Sequence, residues 1–434
     1  MSISAENVLE NLGFRKYQKL LFVVCCEAVA IGIGSAMLIS LIIPSMPEIS
    51  NAQKGILGAG LNMGLLLSGG FLGSRADKLG REKIFKNSSY LILAGLLALV
   101  VASNFYQVCL GFLVLGVGSG ADLAVTNSLL MESIPKTSRK YLALLAIAMN
   151  LGAGLVYSIA LGLEYWEFRQ VENWRLIAVT LFSVHLCFTY LRTFLKESPM
   201  FLYQQSKLED FEKVVREIAE FNGDKAPQLD KLEKPQTNQK LGFGSLFKHP
   251  LKKSTLLLMS IFFLTFLAIQ GITMFMPRLL PMESKLEKYI IITLQQVGSI
   301  PGKLLGAKSI DSFLGRKHTI TLGFLGMSMS ILGFSSTTDF WLINLVSLLF
   351  ACAVNLAISG LYAITPESYP TYGRSLGMGF LMGFSRCGAL LSPMITGTLL
   401  DTGGVSFVVV NSSFLFLVIA GIAMFLEETK NKSD

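Results

Sequence analysis

The stretch Glu132-Ser-Ile-Pro135-Lys-Thr-Ser-Arg139 decides the fold, because it recurs 235 residues later as Glu367-Ser-Tyr-Pro370-Thr-Tyr-Gly-Arg374. A second landmark, Gly80-Arg81, recurs at the same offset as Gly315-Arg316. Landmarks that keep one spacing over much of a chain indicate a duplicated unit, here of roughly half the chain length. The sequence therefore predicts two similar halves.

The composition places both halves in a membrane. Hydrophobic residues make up 52% of the 434 residues, charged residues make up 15%, and the mean hydropathy is +0.56. A soluble globular protein carries nearer to a quarter of charged residues. The apolar stretches run about 17 to 25 residues, the length of a helix that crosses ~30 Å of hydrocarbon. The short alternating segments of a β-barrel are absent from the sequence. We expect an all-α membrane protein.

Twelve predicted spans put both termini on the same side of the membrane. Most Lys and Arg residues fall on the side of the termini and the central loop, so the positive-inside rule places that side in the cytosol. Only Arg386 is counted inside a span. The predicted spans are residues 20–43, 56–72, 87–103, 106–129, 142–163 and 174–195 in the first half, and 255–276, 289–306, 319–336, 340–364, 376–399 and 405–426 in the second.

The expected domains are an N-terminal six-helix half (1–195), a cytosolic linker (196–253) and a C-terminal six-helix half (254–434). Within the linker, residues 208–221 place apolar side chains at helical spacing, which predicts an amphipathic helix at the membrane surface. Two interpretations remain open for this helix. It packs against the cytosolic mouth, or it binds a regulatory partner.

Several other classes of protein find no support in the sequence. There is no phosphate-binding Gly-x-x-x-x-Gly-Lys-Ser/Thr loop, no catalytic triad spacing and no Cys/His cluster, so we expect neither an enzyme nor a bound cofactor or metal. The net charge of +8 suits cytosolic loops that face anionic membrane lipid, and it does not indicate nucleic-acid binding. A monomer is expected. All six cysteines lie in predicted spans and are expected to pack without forming disulfides: Cys25, Cys26, Cys109, Cys187, Cys352 and Cys387.

The loop between spans 2 and 3 reads Gly73-Ser-Arg-Ala-Asp77-Lys-Leu-Gly80-Arg81-Glu-Lys83. It resembles the signature loop of the major facilitator superfamily, in which Asp follows Gly by four residues and Gly-Arg comes three further on. The resemblance implies twelve transmembrane helices in two pseudo-symmetric six-helix halves, which move a solute by alternating access. The second copy departs from the pattern, because Ser312 replaces Asp77 and Lys308 replaces Gly73. Its seam, the contact between the cytosolic ends of its helices, is therefore expected to be looser.

Charged residues of the repeated motifs predict a cytosolic gate. Arg81 and Glu132 are natural partners at the cytosolic ends of the helices, and the repeat predicts the same pairing for Arg316 and Glu367. Such pairs would hold the cytosolic side closed in the outward-open state and would separate as the inward-open state forms. The predicted gate residues are Asp77, Arg81, Glu132, Arg139, Arg316, Glu367 and Arg374.

Shorter stretches indicate a branch of the superfamily. Lys196-Glu197-Ser198-Pro199 and Glu427-Glu428-Thr429-Lys430 resemble paired elements of sugar porters and their organic-ion relatives. Residues 360–377 are similar to the exit of span 10 in organic-ion and synaptic-vesicle-related transporters, and residues 13–18 to the entry of aromatic-acid:proton symporters. The connection between spans 1 and 2 is short (44–55), which favours a compact, microbial-type member. The plasma (inner) membrane is the expected location, and a vesicular membrane stays open as the alternative.

Three ionisable residues inside predicted spans are candidates for the transport site: Glu27, Asp122 and Arg386. Such a residue costs at least ~2.5 kcal/mol at the centre of a membrane helix, so it is usually paired or functional. The repeat-related positions hold no charge, although the gate motifs occur in both halves. The halves therefore share a structural repeat around one asymmetric solute site.

Arg386 lies in residues 385–393, which resemble span 11 of organic-anion carriers, where the matching Arg recognises the anionic solute. A guanidinium binds a carboxylate through two hydrogen bonds, which suits an organic anion. The alternative is a structural ion pair with Asp122 or Glu27. These two carboxyl groups are the candidates for proton coupling, since protonation and solute occupancy become linked when they share a site. Otherwise they balance charge in a uniporter or exchanger.

Uncharged side chains within spans complete the predicted solute site: Asn355, Gln295, Gln270, Tyr157 and Tyr362. Taken alone, a side chain of this kind within a span more often joins two helices than contacts a solute. Gln295 and Asn355 are the preferred solute contacts, and His185 is expected to be a packed histidine.

Together these observations predict a proton-coupled secondary transporter of a small organic anion, either a carboxylate or an aromatic acid. Two alternatives stay open. One is a sugar or organic-cation carrier, a uniporter or symporter, because Glu27 and Asp122 could hold a cation. The other is a non-transporting sensor built on the same fold, which would bind solute without flux.

Overall fold

The structure is a computed structural model that describes residues 5–166, 173–224, 243–370 and 373–429, with the side chains of residues 70–78, 140, 143 and 375 outside the description. Regular secondary structure in the described ranges is helical throughout, which confirms the predicted all-α class. The helices are α1 (Ala5–Leu12), α2 (Lys16–Ile42), α3 (Asn51–Leu79), α4 (Arg81–Val101), α5 (Phe105–Ser133), α6 (Leu142–Tyr165), α7 (Asn173–Arg192), α8 (Pro199–Gln204), α9 (Leu208–Asn222), α10 (Lys252–Leu279), α11 (Lys285–Asp311), α12 (Gly315–Gly333), α13 (Phe340–Glu367) and α14 (Arg374–Ala423).

The twelve predicted spans fall on these helices, with the last two spans both on α14. That helix is interrupted at Gly404, whose φ of +69° and ψ of −165° are not helical, so α14 consists of two helices joined by a kink. Within the described residues, eight continuous helices are long and apolar enough to cross a membrane by length and composition alone.

Polar caps set the ends of several helices. The side chain of Asn104 accepts a hydrogen bond from Gln107 N at the start of α5, and Asp339 accepts one from Leu342 N, at 2.8 Å, at the start of α13. These side chains satisfy backbone N–H groups that have no partner within the helix. At the C-terminal end of α9, Gly223 adopts a left-handed conformation that ends the helix.

The described chain forms two compact units. The first takes in the described parts of residues 1–36, 63–152 and 178–237. Its core joins α1, α2 and α5 to the linker helix α9, which buries Phe211, Val215 and Ile218. The residues predicted to form an amphipathic helix are thus helical, and their apolar face packs into this core. Phe221 stays 43% exposed beside that face.

The second unit takes in residues 37–62, 153–177 and the described parts of 238–434. It therefore includes the first turns of α3, which are attached to α14 by one carboxylate. Asp401 accepts hydrogen bonds from Asn51 N (3.1 Å), Ala52 N (2.8 Å) and Asn51 Nδ2 (2.7 Å). Next to this cap, a Cβ on Gly397 would lie 2.2 Å from Asn51 O, so the two backbones meet only because this residue is Gly.

Close helix packing in the first unit leads to a testable prediction. A Cβ on Gly64 in α3 would lie 2.4 Å from Leu113 O in α5, whereas a Cβ on Gly69, five residues along α3, has no atom within 4 Å. We expect Gly64→Ala to destabilise the protein by about 1–3 kcal/mol through overpacking. Gly69→Ala is the matched control and should leave stability unchanged or raise it by up to about 1 kcal/mol, since Ala favours helix.

The measurement is the thermal midpoint of each purified variant in detergent. Equal midpoints for the two variants would contradict the close α3–α5 contact.

Candidate functional site

A buried ion pair joins α5 to α7 in the first unit. Arg192 Nη1 lies 2.7 Å from Asp122 Oδ1, and its Nη2 lies 2.8 Å from Asp122 Oδ2. Both side chains are 1% exposed. The guanidinium also donates to Phe85 O at 2.8 Å and lies 4.0 Å from the centre of the Phe85 ring. This is the two-pronged geometry in which a guanidinium binds a carboxylate most strongly.

Glu27 on α2 adds a second carboxylate to this cluster. Its Oε2 is 3.5 Å from Arg192 Nη2, longer than a good hydrogen bond, while its Oε1 is 2.7 Å from His185 Nδ1. His185 is fully buried, as predicted, and its other ring nitrogen lies 3.1 Å from Ser89 Oγ on α4. Four ionisable groups from three helices thus meet in one buried cluster.

The sequence analysis missed Arg192 in this cluster. Its count of a single basic residue within spans is wrong, because Arg175 and Arg192 lie inside predicted span 174–195 and Lys303 lies inside predicted span 289–306. In the structure α7 continues to Arg192, and α11 continues to Asp311, eight residues beyond Lys303. The cost of charge in a membrane helix, which singled out Glu27, would have singled out both residues had it been applied to the span ends.

Arg386 in the second unit has a different environment. Within the described part of the second unit, no carboxylate lies within 4.0 Å of the Arg386 guanidinium. Asp122 and Glu27, the alternative partners that the sequence offered, are paired with Arg192 and His185 in the first unit. The Arg386 guanidinium faces the Phe266 ring at 5.6 Å, and Tyr362 is near enough to interact with it electrostatically. Arg386 is thus a cation in a membrane helix without an anion among the described residues of its own unit.

The uncharged candidates divide into two groups. Gln270 and Gln295 are partly exposed and Tyr362 is 45% exposed, and none of the three makes a hydrogen bond to another described residue. Their polar groups are available to a solute. By contrast, Asn355 donates to Ala351 O at 2.8 Å, and the fully buried Tyr157 pairs with Ser40 Oγ at 2.5 Å. These two polar groups already have protein partners.

The predicted pair Arg81–Glu132 is present in the first unit. Arg81 Nη2 lies 3.1 Å from Glu132 Oε1, and Ser198 Oγ donates to Glu132 Oε2 at 2.8 Å. The guanidinium also lies 4.9 Å from the centre of the Phe201 ring. One carboxylate thus joins the start of α4, the end of α5 and the start of α8.

The second unit repeats the arrangement. Arg316 donates to Glu367 through Nε (3.0 Å to Oε2) and Nη2 (2.9 Å to Oε1), and Thr429 Oγ1 donates to Glu367 Oε2. Thr429 occupies the place that Ser198 holds in the first unit. The second copy has Ser312 at the position that Asp77 holds in the first, and the Arg316–Glu367 pair forms with that serine in place.

Two glutamates that the sequence analysis noted only as family elements cap helices in these seams. Glu197 Oε1 accepts from Arg81 N (2.9 Å) and Glu82 N (3.2 Å), and Glu428 accepts from Arg316 N and Lys317 N at 3.0 Å each. A carboxylate at a helix N-terminus satisfies unpaired N–H groups and interacts favourably with the helix dipole. Burial raises the pKa of Glu197, and these backbone hydrogen bonds act in the opposite direction.

The glycines of the repeated Gly-Arg motif make room for these caps. Gly80 has a φ of +102° and Gly315 a φ of +67°, values that favour glycine. A Cβ at Gly80 would lie 2.0 Å from Glu197 Oε2, and one at Gly315 would lie 2.6 Å from Glu428 Oε2. The motif therefore keeps glycine for two independent physical reasons.

Arg139 and Arg374 are the other predicted gate residues whose side chains the structure describes. Arg374 Nε donates to Tyr369 O at 3.4 Å, and Arg139 has a buried Nε without a hydrogen-bond partner in the described part of the chain. The side chain of Asp77 lies outside the described residues.

Comparison with known proteins agrees with this geometry. The profile of the family described as "Sugar (and other) transporter" matches residues 14–433. The 4-hydroxybenzoate transporter PcaK of Acinetobacter baylyi is 25% identical over 100% of this chain and 96% of its own length. The niacin transporter NiaP of the same organism is 25% identical over 86% of this chain and 84% of its own. A synaptic vesicle 2-related protein of Bos taurus is 25% identical over 98% of this chain and 81% of its own.

Among solved structures, the xylose transporter XylE from E. coli, in a partially occluded inward-open conformation, superimposes with a TM-score of 0.76 at 16% identity. The match covers 96% of this chain and 99% of that one. At this identity the match shows the fold alone. It confirms the predicted twelve-helix fold, and the relatives confirm the predicted resemblance to aromatic-acid and synaptic-vesicle-related transporters. With its repeated seams and a profile match over nearly the whole chain, this multi-pass membrane protein is a transporter of small-molecule solutes that belongs to the sugar (and other) transporter family of the major facilitator superfamily.

Proposed function

We propose that this transporter moves a small organic anion, a carboxylate or aromatic acid, by alternating access in symport with protons. The observation that carries the proposal is Arg386, a guanidinium in a membrane helix without a carboxylate partner among the described residues. A cation in such a position is costly unless an anion accompanies it, and a solute carboxylate would supply that anion.

The surroundings of Arg386 support an aromatic solute. Phe266 lies 5.6 Å from the guanidinium, and a second aromatic pair, Phe263–Phe384, lies nearby in sequence on the same two helices with ring centres 5.6 Å apart. Such rings can stack on a planar solute, and the free polar groups of Tyr362, Gln270 and Gln295 can bind its substituents. The names of two relatives specify niacin and 4-hydroxybenzoate, both aromatic carboxylates.

Proton coupling is supported by the buried cluster around Glu27. Asp122 and Glu27 bring two carboxylates next to one guanidinium, so the cluster carries excess negative charge unless a proton is bound. A proton that neutralises the cluster in one conformation and leaves in the other would link a gradient to solute movement.

The Arg–Glu seams are suited to act as the cytosolic gate. Each joins several helix ends through one carboxylate, and ion pairs of this kind can form in one state and open in the other. On this proposal both termini face the cytosol, the protein works as a monomer, and the compact connection between the first two spans fits a plasma (inner) membrane carrier.

Alternative functions predict different behaviour. An organic cation would meet repulsion at Arg386. A sugar carrier would not need that charge, and the likeness to the xylose transporter concerns the fold alone. A sensor would bind solute without flux.

The first prediction concerns Arg386. We expect Arg386→Ala to lower uptake of labelled 4-hydroxybenzoate or nicotinate into proteoliposomes by at least about tenfold. Arg386→Lys should keep only part of the uptake, because an ammonium group cannot make the two parallel hydrogen bonds that a guanidinium makes to a carboxylate. Arg216→Ala is the matched control, since Arg216 is exposed on α9. Xylose and tetraethylammonium are the competing substrates.

Anion uptake that survives in Arg386→Ala would contradict the proposed site. Uptake of xylose or tetraethylammonium by the natural protein, without anion uptake, would favour one of the alternative carriers. Binding of an anion without flux would favour the sensor.

The second prediction concerns the seam of the second unit. Arg316→Ala removes two hydrogen bonds to Glu367, and charged hydrogen bonds contribute about 1.5–3 kcal/mol each when protected from water. We expect a lower thermal midpoint and slower exchange. Lys317→Ala is the matched control, because only the backbone N–H of Lys317 takes part in the seam.

A thermal midpoint of Arg316→Ala equal to that of Lys317→Ala would show that the pair does not stabilise this state. Normal exchange despite a lower midpoint would separate the structural role of the seam from a role in gating.

A further inference from the structure

The hydrogen bonds around His185 determine where its protons lie. Thr189 Oγ1 is 2.8 Å from His185 O, and a carbonyl oxygen can only accept, so the threonine hydroxyl donates to it. Ser89 Oγ is 2.5 Å from Thr189 Oγ1. Because the threonine hydrogen is already in use, the serine hydroxyl donates to the threonine oxygen.

The same reasoning assigns a hydrogen to the far side of the imidazole. Ser89 Oγ is 3.1 Å from His185 Nε2. Its single hydrogen points to Thr189, so the serine oxygen accepts from the ring nitrogen. His185 Nε2 therefore carries a hydrogen whether the ring is neutral or charged.

This assignment has a consequence at Nδ1. A neutral ring with a hydrogen on Nε2 has none on Nδ1, and that bare nitrogen would then lie 2.7 Å from Glu27 Oε1. If Glu27 were ionised, a lone pair of its Oε1 would face the lone pair of Nδ1 at this distance, and the two would repel each other. A hydrogen must lie between the two atoms, either on an imidazolium or on a protonated carboxyl group.

The charges of the cluster agree with this extra proton. Together with Asp122 and Arg192, the protonated Glu27–His185 pair makes a neutral group, whereas the deprotonated pair leaves one net negative charge buried. An uncompensated buried charge is strongly unfavourable. Among the described residues, the thiol of Cys25 on α2 also faces this cluster, and α4 contributes the hydroxyls of Ser88 and Ser89.

Asp122 has a different role from Glu27. Both of its oxygens are bound by Arg192 at 2.7 and 2.8 Å, and Ser88 Oγ donates to one of them. These donors occupy both oxygens of Asp122 and hold it against the guanidinium. Glu27 instead has one oxygen at 3.5 Å from Arg192 Nη2 and the other on the histidine, so it can turn towards the guanidinium when the proton leaves.

We propose that the coupled proton is carried by the Glu27–His185 pair, with Asp122 fixing Arg192 as the group that receives the Glu27 carboxylate after release. The proton comes from water when the pair is protonated and returns to water on release, leaving neutral His185 and ionised Glu27. This inference rests on the proposed proton-coupled function and narrows its two carboxyl candidates to one.

The first experiment observes the protons directly and does not depend on transport. The chain has three histidines, and ¹⁵N-histidine NMR of the protein in liposomes, with His185→Gln to assign the signal, reports the state of each ring nitrogen. We expect Nε2 of His185 to stay protonated at every pH, while the Nδ1 signal changes in a single titration that is altered in Glu27→Gln. A ring protonated on Nδ1 alone would overturn the assignment, as would a titration unchanged in Glu27→Gln.

The second experiment measures coupling. With a one-unit pH gradient, one proton per anion can sustain about tenfold accumulation of 4-hydroxybenzoate in proteoliposomes. We expect His185→Gln and Glu27→Gln to lose this accumulation but to keep exchange of labelled for unlabelled anion, which needs no net proton movement. His318→Gln, at an exposed histidine, is the matched control and should behave as the natural protein.

The two experiments separate the two hypotheses. Gradient-driven accumulation that persists in His185→Gln would overturn the inference. If the natural protein transports no anion in either mode, the proposed function fails, while the NMR titration still decides whether the Glu27–His185 pair holds a proton.

Discussion

An ionised side chain in hydrocarbon must have a partner, and the positions of most of the deep charges in this chain follow from that constraint. Arg192 meets it through two hydrogen bonds to Asp122 and a place over the Phe85 ring. Glu27 meets it through His185. Arg386 has an aromatic neighbour but no anion among the described residues. That difference is the physical basis for separating the cluster proposed to carry the proton from the proposed solute site.

The repeated seams show which parts of the duplication were kept. In both units an Arg at the start of a helix binds a Glu at the end of another, and a second Glu caps the Arg-bearing helix. The hydroxyl that completes the seam comes from Ser198 in one unit and from Thr429 in the other. On the proposed gating role, these pairs are useful in both halves, whereas on the proposed solute role of Arg386 a single solute needs only one guanidinium.

On the proposed mechanism, the proton and the anion act on separate charges. The solute carboxylate neutralises Arg386, and the proton neutralises the cluster around Glu27. Each ligand thus removes one unpaired charge from a low-dielectric region, so these two groups together carry no net charge in the fully loaded and empty forms and one net charge in each half-loaded form. Coupling then requires only that the half-loaded forms change conformation more slowly.

The amino-acid sequence by itself determined the all-helical membrane class, the duplication, the twelve spans and the Arg81–Glu132 and Arg316–Glu367 pairings, because hydrophobic length and motif spacing are local properties of a chain. Only the tertiary structure decided which charges meet. Arg192, Asp122 and Glu27 are far apart in sequence, and their contact depends on how α2, α5 and α7 pack. For the same reason only the structure showed that Asn355 and Tyr157 already have partners and that His185 lies between Glu27 and Ser89.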